Sequence, residues 1–130
     1  ARPLKTPEDL RHQVLMYLDS GRGAGADMQD WPIWLRAMKL EGLKPASVLH
    51  FSQFDQLINA AVAGQGVALG RIPLLKQLLR ERKLVAPFKK TIASPRSYYL
   101  MQSAGAARKP EVQDFAAWLR DEARASALPD

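Results

Sequence analysis

Cysteine is absent from the 130-residue chain, which excludes disulfides and thiolate chemistry and gives weak support to a reducing compartment. His12 and His50 are isolated, and neither a His-Glu-x-x-His pattern nor a paired histidine spacing exists to hold a metal. No apolar run approaches the length of a bilayer span. The first residues, ARPLKTPEDL, lack the hydrophobic core of a secretion signal, so export is not expected. The glycines of GQGVALG do not fall in the G-x-G-x-x-G spacing, and GRGAG precedes no Lys-Ser pair; dinucleotide and P-loop readings fail together. With Glu8 and Asp9 explained as helix-start charges rather than an acid/base pair, no catalytic set remains, and no enzyme, cofactor or metal is expected.

What is present is an ordinary globular composition, 47% hydrophobic and 25% charged, in a chain long enough for one domain with a real core. The formal charge of +6 concentrates in Lys76, Arg80, Arg82, Lys83, Lys89, Lys90 and Arg96. A phosphate-tracking patch is one reading. The preferred one is a solvated helix face, with Lys76, Arg80 and Lys83 opposite Ile72, Leu75 and Leu79, because no aromatic residues interleave with the charges to stack bases.

The most informative stretch is 51–73, FSQFDQLINAAVAGQGVALGRIP. Phe54, Leu57, Ile58, Ala61 and Val62 repeat at helical spacing, Ser52 stands at the expected N-cap, and Asp55 lies over the positive helix end. Gly64 stops the helix, and 67–69 reads as a strand buried on both faces, as in a parallel sheet. Pro73 suits the first turn of a further helix over 74–82.

Upstream, Thr6, Pro7, Glu8 and Asp9 start a short helix over PEDLRH, and 14–18 is an apolar strand running into Asp19, Ser20 and a glycine-rich loop. Asp30, Trp31 and Pro32 open another helix, with Ile33, Trp34, Ala37 and Met38 on its apolar face and Gly42 as its stop. The two tryptophans read either as a ligand cage or, preferably, as core and rim packing. A strand over 48–51 then runs into the Ser52 cap. Downstream, Leu84 and Val85 form a short strand, 97–102 a returning strand, and Pro110 opens a helix with Val112, Phe115, Leu119 and Ala123 on one face and Trp118 beside them.

If the sheet is parallel, the carboxyl ends of its strands are where a ligand binds. Asp19 and Ser20, the Ser52, Gln53 and Phe54 cluster, and Gly70 with Arg71 then share one edge. Arg71 reads equally as a fork for an acidic ligand or as a surface residue paired with a neighbouring carboxylate. The Asp19 loop is a cleft wall or simply a surface loop. His50 is a pH sensor or, preferably, a partly buried histidine with a satisfied hydrogen bond. Gln56, Asn59, Ala60 and Ala63 leave a flat strip on the other side of their helix, where another helix can approach or which simply faces solvent.

These motifs together, AAVAGQGVALG followed by a helix, LVAPF and SYYL, with flanking LKTPEDLRH, DWPIWLRAMKLEGL and PEVQDFAAWLRDEA, resemble the effector-binding domain of LysR-type transcriptional regulators, in the branch typified by glycine-cleavage activators. The resemblance implies an α/β, periplasmic-binding-protein-like (type II) regulatory domain. Residues 1–96 would be subdomain II, and 97–130 the return strand and C-terminal helix of subdomain I. The winged helix-turn-helix, its linker helix and the first half of subdomain I are not among these residues, so DNA would be contacted only through a missing N-terminal domain. A small-molecule effector would bind between the subdomains, in a cytoplasmic homo-oligomer.

Within that resemblance Tyr98 is the tyrosine that reaches the cleft, and the strip of Gln56, Asn59, Ala60 and Ala63 belongs to a dimer interface. Many relatives carry an acidic and then small hydroxylated residues where this chain has Ser52, Gln53 and Phe54, which implies a bulkier, less polar pocket. The last helix would lose its partner with the first half of subdomain I and need another cover. Two other classes compete: a lobe of a transport-type solute-binding protein, which shares the two-lobed architecture, and a general basic nucleic-acid-binding module.

Overall fold

The structure is a computed structural model that describes residues 3–19, 30–93 and 98–126. It divides into two compact units, Ala1–Ile92 and Ala93–Asp130. Among the described residues the first holds three strands, β1 (Val14–Leu18), β2 (Ser47–Phe51) and β3 (Val67–Ala68), and three α-helices, α1 (Asp30–Ala37), α2 (Phe54–Val62) and α3 (Ile72–Arg80). All strand pairs are parallel, in the order β2-β1-β3. The expected parallel α/β sheet is therefore present, with the first strand of the chain at its centre.

β1 divides the core by simple alternation. Leu15 and Tyr17 face one side, where Leu10, Trp31 and Leu35 complete a buried cluster. Met16 and Leu18 face the other, against Leu57, Ile58, Ala60 and Leu75. Ahead of β1, a 3-10 turn over Pro7–His12 is closed by Asp9, whose carboxylate accepts the N–H groups of Thr6 at 2.8 Å and Lys5 at 2.9 Å. Those two bonds hold Asp9 below its ordinary carboxylate range, and hydrogen bonds from its own backbone N–H and from Thr6 do the same to Glu8.

Several sequence expectations need correction. The N-cap of α2 is Gln53, not Ser52, because β2 runs to Phe51 and leaves Ser52 in the bend between the elements. β3 has two residues, both half-buried, and is not a strand covered on both faces; among the described residues nothing pairs with its outer edge. β2 is likewise an edge, with Val48 and Leu49 each 39% exposed. Leu84 and Val85 form no strand, and neither do Tyr98 to Gln102. Ser97 lies outside the described residues.

The helix ends follow one pattern. Gly64 has φ +73°, and the N–H groups of Gly64 and Gln65 donate to Ala61 O and Ala60 O, which is a Schellman end. Gly66 has another reason to be glycine, since a Cβ there would come within 2.6 Å of Val14 O. The residue that stops α1 is Lys39 (φ 59°), not Gly42, with Leu40 N–H donating to Leu35 O. The α3 helix ends the same way at Arg82 (φ 55°), with Lys83 N–H donating to Leu78 O. Two side-chain-bearing residues thus sit in the left-handed region that favours glycine.

The second unit contains a 3-10 turn, Ala106–Arg108, and helix α4, Pro110–Ser126. Ala116 is buried there and Val112 and Leu119 are half-buried, while Phe115 and Trp118 are exposed and stacked with ring centroids 5.8 Å apart.

Exposed Lys39 and Arg82 should each be improved by glycine. Lys39→Gly and Arg82→Gly are expected to raise stability by about 0.5–1 kcal/mol each, and Gly64→Ala to lower it by about 1 kcal/mol. Urea unfolding of the three variants, read as midpoint shifts at constant slope, checks this.

Candidate functional site

Parallel pairing brings the three strand ends to one edge of the sheet. Leu18 lies opposite Phe51, and the next residue, Asp19, donates its N–H to Phe51 O at 2.8 Å. On the other side Met16 lies opposite Ala68, so continuing that register brings Gly70 to the level of Leu18. Asp19, Ser52 and the Gly70-Arg71 pair therefore emerge side by side, as the parallel reading requires.

Two helices start at this edge. Gln53 caps α2 and Arg71 caps α3, both in extended backbone and neither with a side-chain hydrogen bond to its helix. The two starts touch through their side chains. The Arg71 guanidinium carbon lies 5.5 Å from the centre of the Phe54 ring, a cation–π contact made by a half-buried pair.

On the β2 side, His50 Nδ1 lies 2.9 Å from Asp19 Oδ1, with both side chains about half exposed (55% and 51%). The Tyr17 ring stands 5.5 Å from the His50 ring. Burial pushes the Tyr17 hydroxyl above its ordinary value. The expectation of a hydrogen-bonded His50 is met, but on the surface rather than in a partly buried place. Its role as the partner of Asp19 escaped the sequence reading, because the two are 31 residues apart in the chain. The available signal was register: a parallel β1–β2 pair places His50 opposite Tyr17, two residues before Asp19.

Of the other candidates, Ser20 lies outside the described residues. Tyr98 belongs to the second unit and is 82% exposed. On α2, Gln56, Asn59 and Ala63 are exposed as expected of a strip, but Ala60 is 7% exposed and packs in the Met16 cluster. Its position between Leu57 and Ala61 turns it toward the sheet, so it cannot belong to that strip. Of the basic residues, Arg80 and Lys83 are exposed on α3 and just beyond it, and Lys83 is paired with Glu81 at 2.8 Å. Among the described residues no group of three His, Cys, Asp or Glu side chains could hold a metal, and no helix is long and apolar enough to cross a membrane.

The first unit is thus an α/β lobe built on a parallel sheet whose strands end on one edge. Residues 1–124 match the LysR substrate binding domain family, and the chain belongs to it. The family is of the periplasmic-binding-protein-like α/β kind. Over 124 residues the chain is 29% identical to the glycine cleavage system transcriptional activator of Escherichia coli (strain K12), covering 95% of this chain and 38% of that protein. It is 30% identical to the HTH-type transcriptional activator AmpR of Yersinia enterocolitica, covering 89% of this chain and 37% of that one. With the HTH-type transcriptional regulator DsdC of Escherichia coli (strain K12) the figures are 24% identity, 92% and 38%. The chain thus spans well under half the length of these relatives, all of which are named as transcriptional regulators and none as an enzyme. No solved structure matches.

The Arg71–Phe54 contact couples the starts of α2 and α3. A double-mutant cycle of Arg71→Ala and Phe54→Ala is expected to give a coupling of about 0.5–1 kcal/mol in urea unfolding. Additive single effects would show that the two helix starts are independent.

Proposed function

We propose that this chain is the effector-sensing part of a LysR-type DNA-binding transcriptional regulator. The observation that carries the reading is the convergence of three strand ends at one sheet edge, in a chain that belongs to the LysR substrate binding domain family. Residues 1–96 act as subdomain II of a type II periplasmic-binding-protein-like domain. Residues 97–130 belong to subdomain I, where Tyr98 reaches the cleft. The effector lies between the two, against Asp19, Ser20, Ser52, Gln53, Phe54, Gly70 and Arg71.

The protein works without catalysis. An effector can shift the relative orientation of two subdomains only by its difference in affinity for the two arrangements. Side chains at the strand ends, which meet ligand in one arrangement and water in the other, supply such a difference. DNA is contacted by the part of the regulator outside this chain, in the cytoplasm. The exposed face of α2, with Gln56, Asn59 and Ala63, contributes to a homo-oligomer that passes the change in orientation on. This chain alone offers one wall of the cleft, and so binds effector weakly and operator DNA without specificity.

The test uses the native-length protein with a reporter driven by its own promoter, screened against amino acids, aromatic acids and sugar acids. Wild type is expected to respond to at least one compound. Asp19→Asn and Arg71→Gln should each lose most of that response while DNA affinity stays within about twofold, since ligand and DNA bind at separate sites linked only through conformation. A full response in both variants would remove this edge from the effector site.

A further inference from the structure

Two concave sites flank β3. The larger, about 460 Å³, is walled by aliphatic side chains of α2 and α3, and its one cation, Lys83, is already paired with Glu81. The smaller, about 170 Å³, lies on the α1 side and is built differently. Trp31, Trp34 and Phe88 form an aromatic wall, Leu69 and Ile72 line it further, and Lys90 contributes a cation.

The aromatic wall is fixed. Trp31 is 3% exposed and its Nε1–H donates to Met16 O at 2.8 Å, which fixes the indole against the centre of β1. Trp34 meets it edge to face at 5.8 Å, and Phe88 lies 5.9 Å from Trp34 on the far side. Core packing accounts for Trp31. Trp34 and Phe88 pack against the same cluster but are only half-buried, and each leaves part of its surface on the cavity.

Lys90 Nζ donates to Ala37 O, the last residue of α1, at 3.4 Å. An ammonium has three N–H donors and this contact uses one. The helix end thus holds a positive charge beside an aromatic-walled cavity, and both features select the same ligand. An apolar cavity of about 150 Å³ is large enough for one benzene ring, and a cation beside it favours an anionic substituent on that ring.

We propose that this cavity binds a monocyclic aromatic carboxylate of the benzoate type, its ring among Trp31, Trp34 and Phe88 and its carboxylate on Lys90. The site shares only Gly70 with the strand-edge candidates. Its use by the cell rests on the effector-sensing reading, but its occupancy can be measured on this chain alone. The chain has three tryptophans, and the third, Trp118, does not line the cavity, so it serves as an internal control.

The experiment is an NMR titration of the three indole N–H signals with benzoate. Saturable shifts of Trp31 and Trp34, with Trp118 unmoved, are expected at a Kd of order 1 mM or tighter for so small a ligand. Ala86, exposed and lining the cavity, is the site for blocking it: Ala86→Phe should abolish the shifts. Lys90→Gln should weaken benzoate about tenfold and benzyl alcohol less than about twofold, because only the former carries the charge. Unmoved indoles at about 10 mM benzoate, far above the expected Kd, overturn the proposal. Shifts that survive Ala86→Phe, or that are lost with Arg71→Gln but not with Lys90→Gln, also overturn it. The last result would place the ring at the strand edge and leave the effector-sensing reading standing.

Discussion

Everything in the first unit hangs on β1 being paired on both sides. Five residues bond β2 along one edge and two bond β3 along the other, and their side chains alternate into two separate cores. One tertiary hydrogen bond, from Trp31 Nε1 to Met16 O, then fixes α1 to this strand. Removing β1 would leave β2 and β3 as isolated edges and the two cores without a common wall. A parallel sheet also has no hairpin to set its register, so the burial of Leu15 on one face and Met16 on the other sets it.

That register is what brings the strand ends to one edge. Strands that all run one way deliver their carboxyl ends, and the helix starts that follow, to one side. Asp19, Ser52 and Arg71 are brought together by topology alone, although they are far apart in sequence. The local contacts add detail: His50 takes the Asp19 carboxylate, and Phe54 takes the Arg71 guanidinium. Both contacts join neighbouring elements across the edge, so a change at Asp19 or Arg71 is felt by two elements at once. Both residues of β3 also border the aromatic cavity between α1 and the segment carrying Phe88.

What the sequence revealed was what is local or periodic. The PEDLRH turn, the strand at Val14–Leu18 and the helices from Asp30, Phe54 and Pro110 follow from capping residues and apolar spacing. Helix ends were legible where glycine marks them, as at Gly64, and missed where Lys39 and Arg82 adopt the same left-handed geometry without the glycine signal. Strands fared worst where pairing decides: Leu84-Val85 and Tyr98 to Gln102 have strand-like composition but form no strand, and no single-residue property reports that. At the site, the shared edge followed from assuming a parallel sheet. The Asp19–His50 pair did not, since it depends on which residues of β1 and β2 stand opposite each other, and Ala60 was assigned to the wrong side of α2 because alanine carries little directional signal.

The intact mass and N-terminal sequence of the polypeptide made by the native cell test most directly whether this lobe is part of a larger sensing regulator. A species more than twice the 14.5 kDa of this chain, opening with a helix-turn-helix pattern, is the predicted result. A native product of 14.5 kDa would contradict it, since the strand edge would then have no second subdomain to close on and no DNA-binding domain to report to.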